Sequence, residues 1–167
     1  MRYLATFELT PFSIWIREEW WIFPLILVVH SLGMGLMAGI GAATAFRALG
    51  FAPGIPVDMM RRFVPLLWLG LAANTLSGLL LLAGYPAKGL TNPLLYLKLL
   101  LLAAALWLTL RLMNPAAGPA GMNPPAAALT APRMLAVFAL MSWIGVIASG
   151  RVIAYTHSVL LASWLTL

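Results

Sequence analysis

The chain holds two histidines, His30 and His157, and no cysteine. Without thiols there are no disulfides, thiolate metal sites, iron–sulfur clusters or covalently attached haem. Imidazole is therefore the strongest metal donor left. His30 follows ten apolar or aromatic residues, Trp20 to Val29, and opens the glycine-rich stretch HSLGMGLMAGIG. Three other long apolar runs also carry isolated polar groups: Asn74 and Ser77 in LAANTLSGLL, Lys98 in YLKLLL, and Arg151 in ASGRVIAY. The four acids, Glu8, Glu18, Glu19 and Asp58, all lie outside these runs. Lys98 and Arg151 thus have no carboxylate of their own, and an anionic ligand would balance them. Haem b meets both requirements: imidazole ligates its iron and cations meet its propionates. A bis-imidazole haem would have to take His157 as its second ligand. His30, Met34 and Met37 also share one helical face, and imidazole with thioethers suits Cu(I), with Met141 able to approach from the last run. The runs offer no carboxylate pair for acid–base work, and no HExxH, P-loop or GxSxG occurs.

These side chains sit in a bilayer protein. Hydrophobic residues make up 63% and charged residues 8% of the 167, and mean hydropathy is +0.98. A soluble domain carries about a quarter charged residues, so a soluble enzyme, a nucleic-acid binder and a disordered tail are all excluded. The net charge of +6 then reads as loop Lys and Arg that fix topology. The first apolar run follows Arg17, Glu18 and Glu19, and no cleavable signal is expected there.

Four runs reach the roughly 20 residues a span needs, at about 20–46, 63–84, 94–113 and 134–155. The expected fold is an all-α integral membrane four-helix bundle, a single domain over 1–167. Its connections GFAPGIPVDM and YPAKGLTNP read as Pro/Gly turns. NPAAGPAGMNPPAAALTAP reads as a flexible loop. Arg47, Arg61 and Arg62 flank the first connection, and Arg111 and Arg133 the third, against Lys88 alone in the second. Positive-inside bias puts the first and third connections in the cytoplasm and both termini outward.

Counting up from those arginines at about 1.5 Å per residue places His30 roughly 25 Å from the inner end. Asn74, Ser77, Lys98 and Arg151 fall at about 18, 22, 20 and 27 Å. Every span delivers a polar group to one layer of the outward half. His157 comes out about 10 Å above His30, which argues against pairing the two. Small residues offer room for a flat ring: Ser31, Gly35, Gly39 and Ala43 at i, i+4 spacing, with Gly33 and Gly41 beside them. Gly70, Asn74 and Gly78 form a similar row on the second span, and Gly145 and Ser149 on the fourth. The same rows also suit helix–helix contact.

Ahead of the first span, Thr10 can cap a helix that Pro11 opens. Phe12, Trp15, Ile16 and Trp20 fall on one face of it, with Ser13, Arg17 and Glu18 elsewhere, which describes a short N-terminal interfacial helix.

His30, Gly33, Gly35 and Arg47, then Ser77–Gly78 and Lys98 in YLKLLL, resemble the pattern of a broad bacterial group of four-span membrane proteins. That group includes the four-helix membrane protoporphyrinogen oxidase, the copper-resistance D membrane proteins and several uncharacterised families. The closing stretch WIGVIASGRVIAY, Trp143 to Tyr155, looks most like one of the uncharacterised families, and the fourth span departs from the oxidase. The resemblance implies a bacterial inner membrane location and haem b, with His30 as axial ligand and Lys98 beside a tetrapyrrole. The expected role is electron transfer, or a redox reaction on a tetrapyrrole or quinone. The alternatives are a non-catalytic accessory subunit, docking through its small-residue faces on membrane partners or a second copy, and a copper-handling protein.

Overall fold

Proline sets where four of the helices start. It fixes φ near the helical value and lacks only an N–H that a first turn leaves unpaired anyway. In the computed structural model, residues 6, 8–52, 54–114 and 126–155 are described, the side chains at 57, 58 and 126–131 excepted. The surface helix α1 (Pro11–Glu18) opens on Pro11 and is capped by Thr10, whose hydroxyl accepts from the Ser13 N–H. The first span is α2 (Ile22–Leu49), closed by Gly50 at φ 97°, where a side chain would be strained. A short helix, α3 (Val57–Arg61), is capped by Pro56. The second span α4 (Val64–Gly84), the short α5 (Pro86–Leu90) and the third span α6 (Pro93–Leu112) each carry proline in their first two positions. The last span is α7 (Ala126–Tyr155).

Two expectations about the connections change. The first and second are not plain turns, since α3 and α5 form inside them. The last span starts eight residues before 134 and runs through Pro132. The run AAALTA ahead of that proline is rich in alanine, the best helix former, and holds the helix across the one lost hydrogen bond.

Successive spans run antiparallel, as their shared clusters show. Ala45 near the end of α2 packs with Leu108 late in α6 and with Ala136 and Ala139 early in α7. At mid-bundle, Met37 and Ala38 meet Leu67, Leu102, Ala105, Trp143 and Val146. At the opposite end, Ile22 and Ile26 pack with Ile16 of α1. Helix α2 lies against both α4 and α7, and α6 lies on α7, whereas α4 and α6 barely touch. The bundle is therefore two hairpins, α2/α4 and α6/α7, joined along an α2–α7 contact and open along an α4–α6 seam.

Close approach of the backbones holds these contacts together. A Cβ on Gly33 would stand 2.8 Å from the Gly70 carbonyl oxygen and 2.9 Å from the Asn74 nitrogen. A Cβ on Gly41 would overlap the indole of Trp143. That indole is buried, and its Nε1–H donates to Thr109 Oγ1 at 3.1 Å, so one side chain ties α2, α6 and α7 together. Elsewhere the surface is apolar. Each span buries only 22–28% of its most apolar window inside the protein, and Leu32, Leu69, Leu76 and Leu100 are more than 60% exposed. Such a surface requires lipid rather than water around it, and the chain is a four-span membrane bundle.

Helix α1 forms where expected, but its buried face differs. Ser13 and Ile16 are the residues that turn inward, both fully buried, while Phe12 and Trp15 stack on each other at 6.4 Å and stay exposed with Trp20. The reason is the end of α4. Its last carbonyls have no partner within the helix, and Ser13 Oγ donates to one of them, Gly84 O, at 3.2 Å. Gly84 also gives Ile16 its place, since a Cβ there would meet Ile16 Cγ2 at 3.1 Å. Arg17 completes the junction, donating to Glu8 O and lying over the Tyr85 ring.

Candidate functional site

The polar layer read from the sequence converges on His30. Its Nδ1 lies 3.1 Å from Asn74 O and 3.1 Å from Ser77 Oγ. A backbone carbonyl only accepts, so Nδ1 carries the proton and donates to it. Ser77 can accept from the same N–H because its own hydroxyl proton goes to Ala73 O at 2.6 Å. Nε2 is then left with a lone pair, and the Lys98 ammonium donates to it at 3.0 Å. Asn74 closes the ring of contacts by donating from Nδ2 to His30 O at 2.8 Å. Asn74 and Ser77 are buried, whereas His30 and Lys98 are half-buried. Among the described residues no buried side-chain nitrogen or oxygen lacks a partner.

Backbone packing dictates this placement. Gly33 lets α2 come down on α4 at Gly70 and Asn74, which brings His30, one turn away, level with Asn74 and Ser77. Gly78 leaves a bare patch of α4 beneath the imidazole, where a Cβ would lie 3.3 Å from Cε1. Lys98 reaches across from α6 over another bare patch, Gly150 of α7, whose Cβ would lie 3.6 Å from Nζ. The imidazole thus bridges the part of the α4–α6 seam away from the arginine-rich end. One of its nitrogens is fixed by α4, and the other faces a cation.

The remaining expected residues divide. Gly33 is a packing residue that positions the site and is covered by Asn74 rather than open to a ligand. Arg151 is exposed, next to the Gly150 that underlies Lys98, so its guanidinium points out of the bundle. His157 lies outside the described residues. The stripe Ser31, Gly35, Gly39 and Ala43 does not line the bundle interior: all four are exposed, and a Cβ on Gly35 or Gly39 would meet nothing within 4 Å. The interior register is Gly33, Met37 and Gly41 instead, because Gly70 and Trp143 supply the complementary surfaces. Of the thioethers, Met37 is fully buried in the mid-bundle core, while Met141 is 60% exposed. Among the described residues no group of three His, Asp or Glu side chains is arranged to hold a metal ion.

Two contributors were not singled out for the site. Gly150 lies in the WIGVIASGRVIAY stretch, but nothing in its spacing ties it to Lys98 on another helix. Trp143 gave no sign that its indole would be matched by Gly41 and Thr109. Compared with protein-family models, curated proteins and solved structures, the chain matches none.

Proposed function

We propose that the chain is an integral membrane haem b protein, acting in electron transfer or in a redox reaction on a tetrapyrrole or quinone. The observation that carries this reading is the state of His30. Its Nδ1–H is bound to Asn74 O, which fixes the tautomer and leaves Nε2 as a lone-pair donor; hydrogen bonds of this kind orient metal-ligating imidazoles. Beside Nε2 stands the Lys98 ammonium, in a layer without carboxylates. One imidazole lone pair with an adjacent cation is the donor chemistry that haem b requires. His30 would hold the iron through Nε2, Asn74 and Ser77 would orient the ring, and Lys98 would meet a propionate; Arg151, turned out of the bundle, would not. Nε2 serves one partner at a time, so a metal held there would leave the Lys98 ammonium free for an anion. Haem supplies one-electron chemistry at a potential tuned by its axial ligand and the hydrogen bonds behind it. The arginine-rich end, at Arg47, Arg61, Arg62, Arg111 and Arg133, would face the cytoplasm of a bacterial inner membrane, with both termini outward.

The test is an optical spectrum of protein expressed with excess haem precursor and purified in mild detergent, both oxidised and dithionite-reduced. A Soret band that disappears in His30→Ala is expected, while folding controls stay intact. Absence of the band in the unaltered chain refutes the reading. Loss in His157→Ala as well makes His157 the second ligand.

The outward stripe Ser31, Gly35, Gly39 and Ala43 favours a second reading, an accessory subunit that packs on another membrane helix. A chain that purifies alone and monomeric in mild detergent counts against it.

A further inference from the structure

The α4–α6 seam is closed at its outward part by the His30–Lys98 contact. At the arginine-rich end it opens into a cavity of about 220 Å³ lined by Arg61, Val64, Leu110, Met113 and Asn114. Arg61 closes the short helix α3 and Val64 opens α4, while Leu110 lies in the last turn of α6 and Met113 and Asn114 follow directly on it; α4 and α6 are spans that barely touch. Val64, Leu110 and Met113 make the wall apolar, while Arg61 brings a cation to its mouth. Arg62 is exposed beside it, and Arg111 is exposed at the same end, over the outward-facing Trp107 ring at 5.2 Å. Among the residues whose side chains are described, no Asp or Glu lines the cavity. An apolar cleft beside two spans, with the Arg61 cation in its lining and further arginines at the same end, has the charge and polarity of a site for an anionic lipid headgroup.

We propose that this cavity binds an anionic phospholipid of the adjacent leaflet, its phosphate on Arg61 and its chains running along the seam between α4 and α6. A zwitterionic lipid fits less well, because its own ammonium would enter a cluster of arginines. The site is independent of His30 and of any cofactor there. The occupant would do for α4 and α6 what Trp143 does for α2, α6 and α7: it would fill the gap between spans that do not pack on each other.

Native mass spectrometry of the full chain in mild detergent tests this, with added dioleoyl-phosphatidylglycerol or dioleoyl-phosphatidylcholine as the probe. One phosphatidylglycerol should be retained about fivefold or more over phosphatidylcholine, the factor expected of one basic residue at a membrane surface. Arg61→Gln should remove the preference, and so should Val64→Trp, which fills the cavity without changing charge. Arg133→Gln removes the same charge at the same end, from the last span, and should keep the preference. Equal retention of the two lipids by the unaltered chain overturns the proposal. So does equal loss in Arg61→Gln and Arg133→Gln, which would mean diffuse attraction to a basic surface.

Discussion

Gly33 and Gly35 stand two residues apart on α2, and the same substitution at each should have opposite results. A methyl group on Gly33 would lie 2.8 Å from Gly70 O and 2.9 Å from Asn74 N, both backbone atoms that cannot swing aside. A methyl group on Gly35 would meet nothing within 4 Å. In a helix interior, alanine is favoured over glycine by about 0.8–1.0 kcal/mol, and that gain applies to both positions. Forcing one extra carbon into a packed contact costs about 1–3 kcal/mol. The propensity gain cancels between the two variants, so their difference isolates the overpacking cost. Gly33→Ala should therefore be about 1–3 kcal/mol less stable than Gly35→Ala, with the unaltered chain about 0.8–1.0 kcal/mol below Gly35→Ala and level with or above Gly33→Ala. Thermal unfolding in detergent, followed by the loss of helical circular dichroism, measures the order. The α2–α4 contact also holds the Asn74–His30 hydrogen bonds, so Gly33→Ala should disturb the polar layer as well. If Gly35→Ala loses as much as Gly33→Ala, the wrong face of α2 has been assigned to the bundle.

Three more outcomes follow from other contacts. Trp143→Phe keeps most of the buried ring but removes the donor to Thr109, and should cost about 0.5–1.5 kcal/mol; Trp143→Ala should cost about 3–5 kcal/mol, both read from detergent unfolding midpoints. Asn74→Leu removes the donor to His30 O and should cost about 0.6 kcal/mol, the average for a hydrogen bond between membrane helices, or more if the larger side chain also crowds Gly33. A cost near zero, measured by reversible unfolding, would show that the Asn74 side chain is dispensable. Replacing Phe12 and Trp15 together with serine should leave the unfolding midpoint nearly unchanged, because both are about half exposed. The same change should reduce quenching of the remaining tryptophans by brominated lipid only slightly, since Trp20 and Trp21 stay in place. A large fall in stability would mean that this face of α1 is packed against the bundle.

Much of this architecture was readable from the residues, for identifiable reasons. A span must be apolar along its whole length, so hydropathy marks all four, and proline and glycine mark most of their ends. The polar layer was readable because the arginines gathered at one end of the spans act as a common origin. Counting from them put His30, Asn74, Ser77 and Lys98 at similar heights, and these four residues do meet, Asn74 through its backbone carbonyl and through its amide on the His30 carbonyl. What the sequence hid was rotation about the helix axes. On α2 the residues 31, 35, 39 and 43 and the residues 33, 37 and 41 are both rows of mostly small side chains. Which row turns inward depends on Gly70 and Trp143, which lie on other helices. Arg151 reached the right height but the outside of its helix, for the same reason. Ser13 looked like a polar, outward residue because the carbonyl it serves, Gly84 O, lies 71 residues away.

The open seam between the hairpins also bears on how the protein is made. Spans leave the ribosome in order, so α2 and α4 can pair before α6 exists. At that stage the partners of His30 Nδ1 are already in the membrane, and the imidazole is oriented. Its other nitrogen stays unmatched until Lys98 arrives with the third span. A nascent chain stalled between the two hairpins would hold a half-built site with Nε2 open to whatever reaches it first. Insertion of the second hairpin is then the step at which the site acquires its cation.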